Sequence, residues 1–137
     1  MNATVSTDTP TRARQALVVD DDPLMLAVLG DLLRERGFGA IVTAGNGTAG
    51  IQAFDRYRPP PDLVVCDLHM PGNDGFQFME QLGARGYAGR VIVVSGMDAR
   101  TLKSASLMAR FHRLNILAAL TKPVDASALS MALATFA

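Results

Sequence analysis

Asp62-Leu63-Val64-Val65-Cys66-Asp67-Leu68-His69-Met70-Pro71-Gly72-Asn73-Asp74-Gly75 is the stretch of the sequence that decides the fold. The apolar run before Asp67 predicts a short buried strand that stops at this carboxylate. Turn-forming residues follow it, namely Pro71, Gly72 and Gly75. In an open parallel sheet, ligands bind just beyond the carboxyl ends of the strands. The sequence therefore places Asp67 where a chemically active group is expected.

Length and composition favour one soluble domain. The 137 residues suffice for a single hydrophobic core, and 49% hydrophobic against 19% charged residues excludes wholesale disorder. The 13 basic residues balance the 13 acidic ones without a basic cluster, so no direct role in nucleic-acid binding is expected. No apolar run is long enough for a membrane span, and no signal peptide is evident. With one cysteine, which cannot form an internal disulfide, we expect a cytoplasmic protein.

Strand-like apolar runs alternate with helical patterns along the chain. Strands are predicted over residues 16–19, 39–43, 63–66, 91–94 and 116–120, and helices over 23–36, 47–57, 75–84, 99–114 and from 125 to the C-terminus. All strands except the second are continuous apolar runs, as in parallel strands covered on both faces. The pattern predicts an α/β fold over residues 16–137 behind a flexible tail, residues 1–15. In the first helix, the predicted apolar positions are Leu24, Ala27, Val28, Leu32 and Leu33.

Polar residues follow four of these strands: Asp20-Asp21-Asp22, Asp67, Ser95 and Lys122. Because parallel strands all point one way, these ends share one edge of the sheet. Clustered carboxylates do not all ionise cheaply without a cation, and oxygen ligands with open water positions suit Mg²⁺. A carboxylate can also act as a covalent nucleophile that forms an aspartyl phosphate. A lysine, a metal and a hydroxyl would stabilise the charge of a transferred phosphoryl group.

Four motifs in this order resemble the receiver domain of bacterial two-component response regulators. They are Val18-Val19-Asp20-Asp21-Asp22-Pro23, Asp67-Leu68-His69-Met70-Pro71 with Asp74-Gly75, Val93-Val94-Ser95-Gly96, and Thr121-Lys122-Pro123. The resemblance covers about residues 15–137. It implies a flavodoxin-like (βα)5 fold, a doubly wound parallel sheet with strand order 2-1-3-4-5 in a single domain.

The resemblance also implies a role for each site residue. Asp67 would accept a phosphoryl group from a histidine kinase or phosphotransfer protein. Asp20 and Asp21 would form the acid pair, with Asp21, Asp67 and the backbone carbonyl of His69 binding Mg²⁺ directly. Lys122 and Ser95 would contact the phosphoryl group, and a cis peptide bond would precede Pro123. The chain would be a signalling receiver and not an enzyme, apart from catalysing its own phosphoryl transfer and dephosphorylation.

Three features depart from the usual receiver pattern. Ala119 stands three residues before the lysine, where the family often has an aromatic switch residue, so signalling through that face must work otherwise. Ser95 and Lys122 are 27 positions apart (122 − 95), roughly one helical turn longer than in a typical receiver, which predicts an extended helix or loop between them. His69, two residues after the acceptor, would flank the water access to the phosphoryl group and tune dephosphorylation.

The output of such a receiver would be an output domain or a partner protein. Residues 107–117 resemble receivers attached to EAL-type cyclic-di-GMP phosphodiesterases, which suggests a cyclic-di-GMP-related output. The apolar C-terminal helix, with the helix predicted over 99–114, would also suit a homodimer.

Other interpretations remain open. An aspartate-nucleophile phosphatase of the haloacid dehalogenase type would place a second Asp where His69 stands, and this length leaves no room for a cap domain. A pseudo-receiver acting as a constitutive interaction module is favoured by Ala119 and disfavoured by the complete acid, hydroxyl and lysine set. The run Gly45–Gly50 matches the dinucleotide fingerprint G-x-G-x-x-G but does not follow the first strand of the fold. Cys66 is expected to be a packed core thiol.

Overall fold

Parallel strands and helices alternate throughout the computed structural model of the chain, which describes residues 13–96, 113–134 and 136. The strands are β1 (Arg14–Val19), β2 (Phe38–Ala44), β3 (Leu63–Asp67), β4 (Arg90–Ser95) and β5 (Asn115–Thr121). The helices are α1 (Pro23–Glu35), α2 (Gly47–Arg56), α3 (Asp74–Ala84) and α4 (Ala126–Leu133), and a single 3-10 turn, Pro71–Asn73, precedes α3. All five predicted strands are confirmed, with bounds that move by one or two residues.

The sheet has the strand order β2-β1-β3-β4-β5, and every neighbouring pair is parallel. This order is the one that the resemblance implied. The register aligns the carboxyl ends of the inner strands, because Asp67 pairs with Val94 and Ser95 pairs with Thr121. The polar residues that end the strands therefore meet at one edge.

Two hydrophobic clusters cover the two faces of the sheet. Side chains alternate along β3, so that Val64 and Cys66 enter one cluster while Leu63 and Val65 enter the other. All five residues of β3 are buried, which confirms the prediction of a strand covered on both faces. The same prediction was wrong for β5. This strand lies at the edge of the sheet, has one neighbour, and is half-buried or exposed along its length.

Helix α1 begins as its sequence predicts, but of its predicted apolar positions only Leu32 and Leu33 pack against the core. The Asp22 side chain accepts a hydrogen bond from the Leu24 N–H at 3.0 Å, and Pro23 occupies the first turn. Leu29 and Leu33 are buried, whereas Leu24 is 71% exposed and Val28 is 38% exposed. Apolar residues occur almost all round this helix, so spacing alone did not identify the face that packs on the sheet.

The C-terminal helix α4 is shorter than predicted. Asp125 caps it by accepting a hydrogen bond from the Ser127 N–H at 3.1 Å, as expected. The helix ends at Leu133, and Phe136 turns back to meet the Phe38 ring edge-on, with 5.6 Å between the ring centroids. The guanidinium of Arg90 lies 4.5 Å from the centre of the Phe136 ring. These contacts fix residue 136 at the amino end of the sheet, opposite the predicted site.

Two sequence predictions fall outside the described part of the chain. They are the tail, apart from its last residues, and nearly all of the helix predicted over 99–114 with its expected extension. Within the described ranges, the helices are all too short to cross a membrane.

Helix α3 starts in close contact with the backbone that carries Asp67. A Cβ atom added at Gly75 would lie 2.8 Å from the Cα of Leu68 and would also collide with the carbonyl oxygen of Asp67. The neighbouring atoms belong to the backbone and cannot move aside without moving the strand end. Gly75 is therefore required by close packing.

We expect Gly75→Ala to destabilise the fold by about 1–3 kcal/mol, because the added methyl group overpacks a backbone contact. Gly30→Ala in α1 is the matched control, since its added Cβ would meet only the flexible Arg34 side chain at 3.4 Å. The control should be neutral or more stable by about 0.5–1 kcal/mol, as Ala favours helices. Urea denaturation measures both changes. Equal stabilities of the two variants would contradict the packing argument.

Candidate functional site

Hydrogen bonds between neighbouring strand ends hold the backbone of the site. The Asp20 N–H donates to the Ala44 carbonyl at 3.0 Å, joining the ends of β1 and β2. The Leu68 N–H donates to the Val94 carbonyl at 2.9 Å, joining β3 to β4. The Lys122 N–H donates to the Ser95 carbonyl at 2.8 Å, joining β5 to β4. Because Val19 of β1 also pairs with Cys66 of β3, the four predicted polar strand ends lie along one continuous edge.

Asp67 is enclosed at the centre of this edge. Its side chain is 0% exposed, and its Oδ2 lies 3.1 Å from the Lys122 ammonium. Its other oxygen, Oδ1, accepts a hydrogen bond from the His69 N–H at 2.8 Å. Burying a carboxylate is costly unless it is paired and hydrogen-bonded, and Asp67 has both kinds of partner.

Asp20 is the second buried carboxylate. Its side chain is 1% exposed, its Oδ2 lies 3.1 Å from the Lys122 ammonium, and its Oδ1 accepts a hydrogen bond from the Asp22 N–H at 2.8 Å. Burial raises the pKa of the Asp20 carboxyl above its ordinary value, and the charge of Asp67 raises it further, although Asp22 and Lys122 act in the opposite direction. The ionised Asp20 is thus held in the site at a cost in free energy.

Lys122 pairs with both carboxylates. Partial burial lowers the pKa of its ammonium, but hydrogen bonds to Asp67 and Asp20 outweigh burial, and the pKa is raised overall. The side chain is 22% exposed, so it reaches the crevice from the solvent side of β5. A cis peptide bond joins Lys122 to Pro123, as the resemblance implied.

Ser95, His69 and Ala119 complete the surroundings. The Ser95 hydroxyl is fully buried and has no hydrogen-bond partner within the described part of the chain. The exposed His69 imidazole lies beside Gly96, since a Cβ added there would be 3.5 Å from His69 Cδ2. Ala119 is exposed on the edge strand β5, without an aromatic ring that could pack against the site.

The site has the oxygen ligands that a hard cation requires. One carboxylate oxygen from each of Asp20, Asp21 and Asp67 lies within 4.8 Å of the other two. Asp20 and Asp67 are buried, whereas Asp21 is exposed, so a cation here would keep a side open to water. This donor set and its partial exposure fit Mg²⁺, which keeps several waters and prefers carboxylate and phosphate oxygens. The three residues therefore fit the predicted metal.

The structure also gives a partner to Asp74, which was named above only as part of a motif that resembles receiver domains. Asp74 accepts a hydrogen bond from the Gly47 N–H at 2.5 Å, which links the start of α3 to the start of α2. This bond occupies a backbone N–H that a bound phosphate would need. The Gly45–Gly50 run therefore opens α2, whose start was predicted at residue 47. The sequence shows Asp74-Gly75 as a motif, but it does not show that Asp74 pairs with Gly47, which lies 27 positions earlier in the chain.

Cys66 is buried beneath the site. Its thiol is 0% exposed, and burial, aided by nearby carboxylates, raises its pKa well above the ordinary value. A protonated, enclosed thiol is a poor nucleophile, in agreement with a packed core residue.

Comparisons with known proteins point in one direction. The family model described as the response regulator receiver domain matches residues 16–134. The chain is 34% identical over 94 residues to a probable C4-dicarboxylate response regulator DctR from Priestia megaterium, a match that covers 67% of this chain and 40% of that protein. It is 29% identical over 90 residues to the chemotaxis protein CheY of Bacillus subtilis, covering 66% of this chain and 73% of CheY.

A solved structure agrees with these sequence matches. A response regulator from Colwellia psychrerythraea superimposes with a TM-score of 0.78 and 25% identity, covering 91% of this chain and 97% of the other. The matched region spans well under half of the DctR relative, at 40% of its length.

We expect Asp20→Asn to stabilise the metal-free fold at neutral pH by about 1 kcal/mol, because the amide removes a buried charge whose raised pKa reports a cost. The amide oxygen can still accept the hydrogen bond from the Asp22 N–H. Thermal unfolding with and without Mg²⁺ measures both consequences. The wild type should gain stability from Mg²⁺, and the variant, which lacks one charge of the acid pair, should gain less. A variant that is less stable than the wild type without metal would contradict this account of Asp20.

Proposed function

This chain belongs to the response regulator receiver family, and from that premise we propose that Asp67 is its phosphoacceptor. Phosphorylation-dependent switching is the general function of the family. The observation that supports Asp67 most directly is its position: a fully buried carboxylate, held between the Lys122 ammonium and the His69 N–H at the carboxyl end of the central strand. No other carboxylate within the described ranges combines this burial, this strand position and two such partners.

The proposed reaction is an in-line displacement. One carboxylate oxygen of Asp67 attacks the phosphorus of a phosphohistidine and forms a P–O bond while the P–N bond breaks. The electron pair of that bond leaves with the imidazole nitrogen. Lys122 then stabilises the charge on the phosphoryl oxygens, since its ammonium already lies 3.1 Å from the acceptor carboxylate. Water later hydrolyses the acyl phosphate, and the His69 imidazole beside Gly96 flanks its approach.

Receiver domains generally bind Mg²⁺ at an acidic pocket. We place Mg²⁺ in this chain at Asp21, Asp67 and the His69 carbonyl, with Asp20 in the acid pair. When bound, the cation supplies positive charge that the developing phosphoryl oxygens share. The two buried carboxylates lie close together, and among the described residues Lys122 is the cation that pairs with both of them.

The switch is proposed to use Ser95. Its buried hydroxyl lacks a partner within the described residues, so a phosphoryl oxygen on Asp67 would offer it a strong acceptor. Drawing Ser95 and the loop after β4 toward Asp67 would shift the balance between two conformations. Because Ala119 offers no aromatic side chain, the readout on this side would depend on the backbone of β4 and β5 and on their loops.

Receiver domains interact with histidine kinases or phosphotransfer proteins and with output domains. For this chain we propose such a phosphodonor in the cytoplasm and an output domain or partner protein. A cyclic-di-GMP-related output and a homodimer through α4 and the helix predicted over residues 99–114 are finer hypotheses. The proposed domain covers residues 16–137. The chemistry is limited to the chain's own phosphorylation and dephosphorylation, which makes the protein a switch and not a turnover enzyme.

Asp67→Asn should abolish phosphorylation while preserving the fold, because the amide is no nucleophile but has the same shape. Intact mass spectrometry after incubation with acetyl phosphate measures this, with and without Mg²⁺. The wild type should carry one phosphoryl group per chain, only with Mg²⁺. The same phosphoryl level on the variant would refute the assignment. Many turnovers without a stable adduct would favour a phosphatase, and no adduct on the wild type would favour a pseudo-receiver.

Lys122→Ala should retain Mg²⁺ binding but lose the response to phosphorylation, because the ammonium contacts the acceptor and is not a metal ligand. Calorimetric titration with Mg²⁺ tests binding. Chemical-shift changes on adding beryllofluoride, which mimics the phosphoryl group, test the response. If beryllofluoride caused the same chemical-shift changes in the variant as in the wild type, the proposed role of Lys122 would be wrong.

A further inference from the structure

Asp74 begins α3, but its carboxylate serves another helix. Its Oδ2 accepts the Gly47 N–H at 2.5 Å, at the amino end of α2. This end of a helix carries unpaired N–H groups and a partial positive charge, both of which favour a carboxylate. The Asn46 side chain accepts from the Ala49 N–H at 2.7 Å, so Asp74 and Asn46 share the capping of α2.

The start of α2 is in turn attached to the acid pair. The Ala44 carbonyl, three residues before Gly47, accepts a hydrogen bond from the Asp20 N–H at 3.0 Å. A short path therefore runs from the Asp74 carboxylate through residues 44–47 to the backbone of Asp20. Asp74 joins the loop that follows Asp67 to the loop that supports Asp20.

The loop itself has few other fixed points. Near Asp67 it is held by the His69 N–H, 2.8 Å from Asp67 Oδ1, and by the Met70 side chain, which is 5% exposed in the core. The next three residues, Pro71–Asn73, are all exposed. Gly72 and Asn73 take positive φ angles of 69° and 58°. Beyond Met70, the end of the loop is fixed by two contacts: the close packing of Gly75 on the backbone of Asp67 and Leu68, and the hydrogen bond of Asp74 with Gly47.

We propose that Asp74 is a positioning residue for the magnesium site. By holding the start of α3 against the start of α2, it sets the separation between the His69 carbonyl and the carboxylates of Asp20 and Asp21. This inference rests on the proposed function of the same site. Asp74 touches neither the cation nor the phosphoryl group and acts through the two loops that carry the ligands.

Calorimetric titration of the whole chain with Mg²⁺ tests the inference. Asp74→Ala should weaken Mg²⁺ binding about tenfold, the loss typical when a residue that orients metal ligands is removed. Asp74→Asn should recover most of the affinity, because its amide oxygen can still accept the Gly47 N–H. The Mg²⁺ concentration that half-saturates phosphorylation by acetyl phosphate should rise in Asp74→Ala, while the rate at saturating Mg²⁺ stays close to that of the wild type.

Asp55→Ala provides the matched control. Asp55 also ties α2 to α3, through bonds from Arg85 Nε at 2.7 Å and Arg85 Nη2 at 3.0 Å, but at the helix ends far from the site. The Asp55→Ala variant should keep the Mg²⁺ affinity of the wild type even if its melting temperature is lower. Thermal unfolding checks that each variant is folded, and Asp74→Ser, with a shorter side chain, replaces Asp74→Ala if the latter is not.

Two results would overturn the positioning role. One is wild-type Mg²⁺ affinity in folded Asp74→Ala or Asp74→Ser. The other is an equal loss in Asp55→Ala, which would show that general packing of α2 on α3 controls the site. Failure of the proposed function is recognised separately, because the wild type would then form no phosphoryl adduct with acetyl phosphate, whereas its Mg²⁺ titration would still test the role of Asp74.

Discussion

A single ammonium shared by two buried carboxylates is the interaction on which the rest of this structure depends. Asp20 and Asp67 are each 1% exposed, and Lys122 lies 3.1 Å from both. Removing two like charges from water is costly, and one cation repays this cost only in part. The remaining negative charge is what makes the pocket attractive to a second cation. The excess of negative charge that lowers the stability of the fold therefore also favours the binding of a cation.

The sheet is the framework that keeps these charges in place against their repulsion. The site residues come from positions far apart in the chain, yet the parallel pairing of neighbouring strands brings them to one edge of the sheet. Hydrophobic clusters cover both faces behind the site, and β3 is buried along its whole length. Since the strands cannot shift without exposing this core, their ends are held in a fixed register.

Much of this could be predicted from the sequence because the signals are local. Apolar runs that end in Asp67, Ser95 and Lys122 identify strands and their polar ends, and parallel topology then requires those ends to meet. Helix starts are also local: two were predicted at residues 23 and 125, and Asp22 and Asp125 cap the helices there. The choice of buried face in α1 was not local, because Leu24 and Leu29 are equally apolar and only packing against the sheet distinguishes them.

The long-range details could not be predicted for the same reason. Asp74 and Gly47 are 27 residues apart, and neither segment carries a sequence pattern that predicts their hydrogen bond. The half-exposed state of β5 follows from its place at the edge, which the apolar run of the strand did not reveal. Gly75 was visible as a turn residue, whereas the backbone that it lies against was not. Pairings of this kind depend on how elements pack, after the elements themselves have formed.

The position of Cys66 has a practical consequence. The chain has one cysteine and no tryptophan, so ordinary indole fluorescence cannot follow its unfolding. The thiol lies fully enclosed in the central strand, directly before Asp67. A thiol reagent can therefore react only when the middle of the sheet opens, and the rate of alkylation measures how often that opening occurs. Because Cys66 does not react in the folded state, a cysteine introduced at the surface would be labelled selectively with a spectroscopic probe.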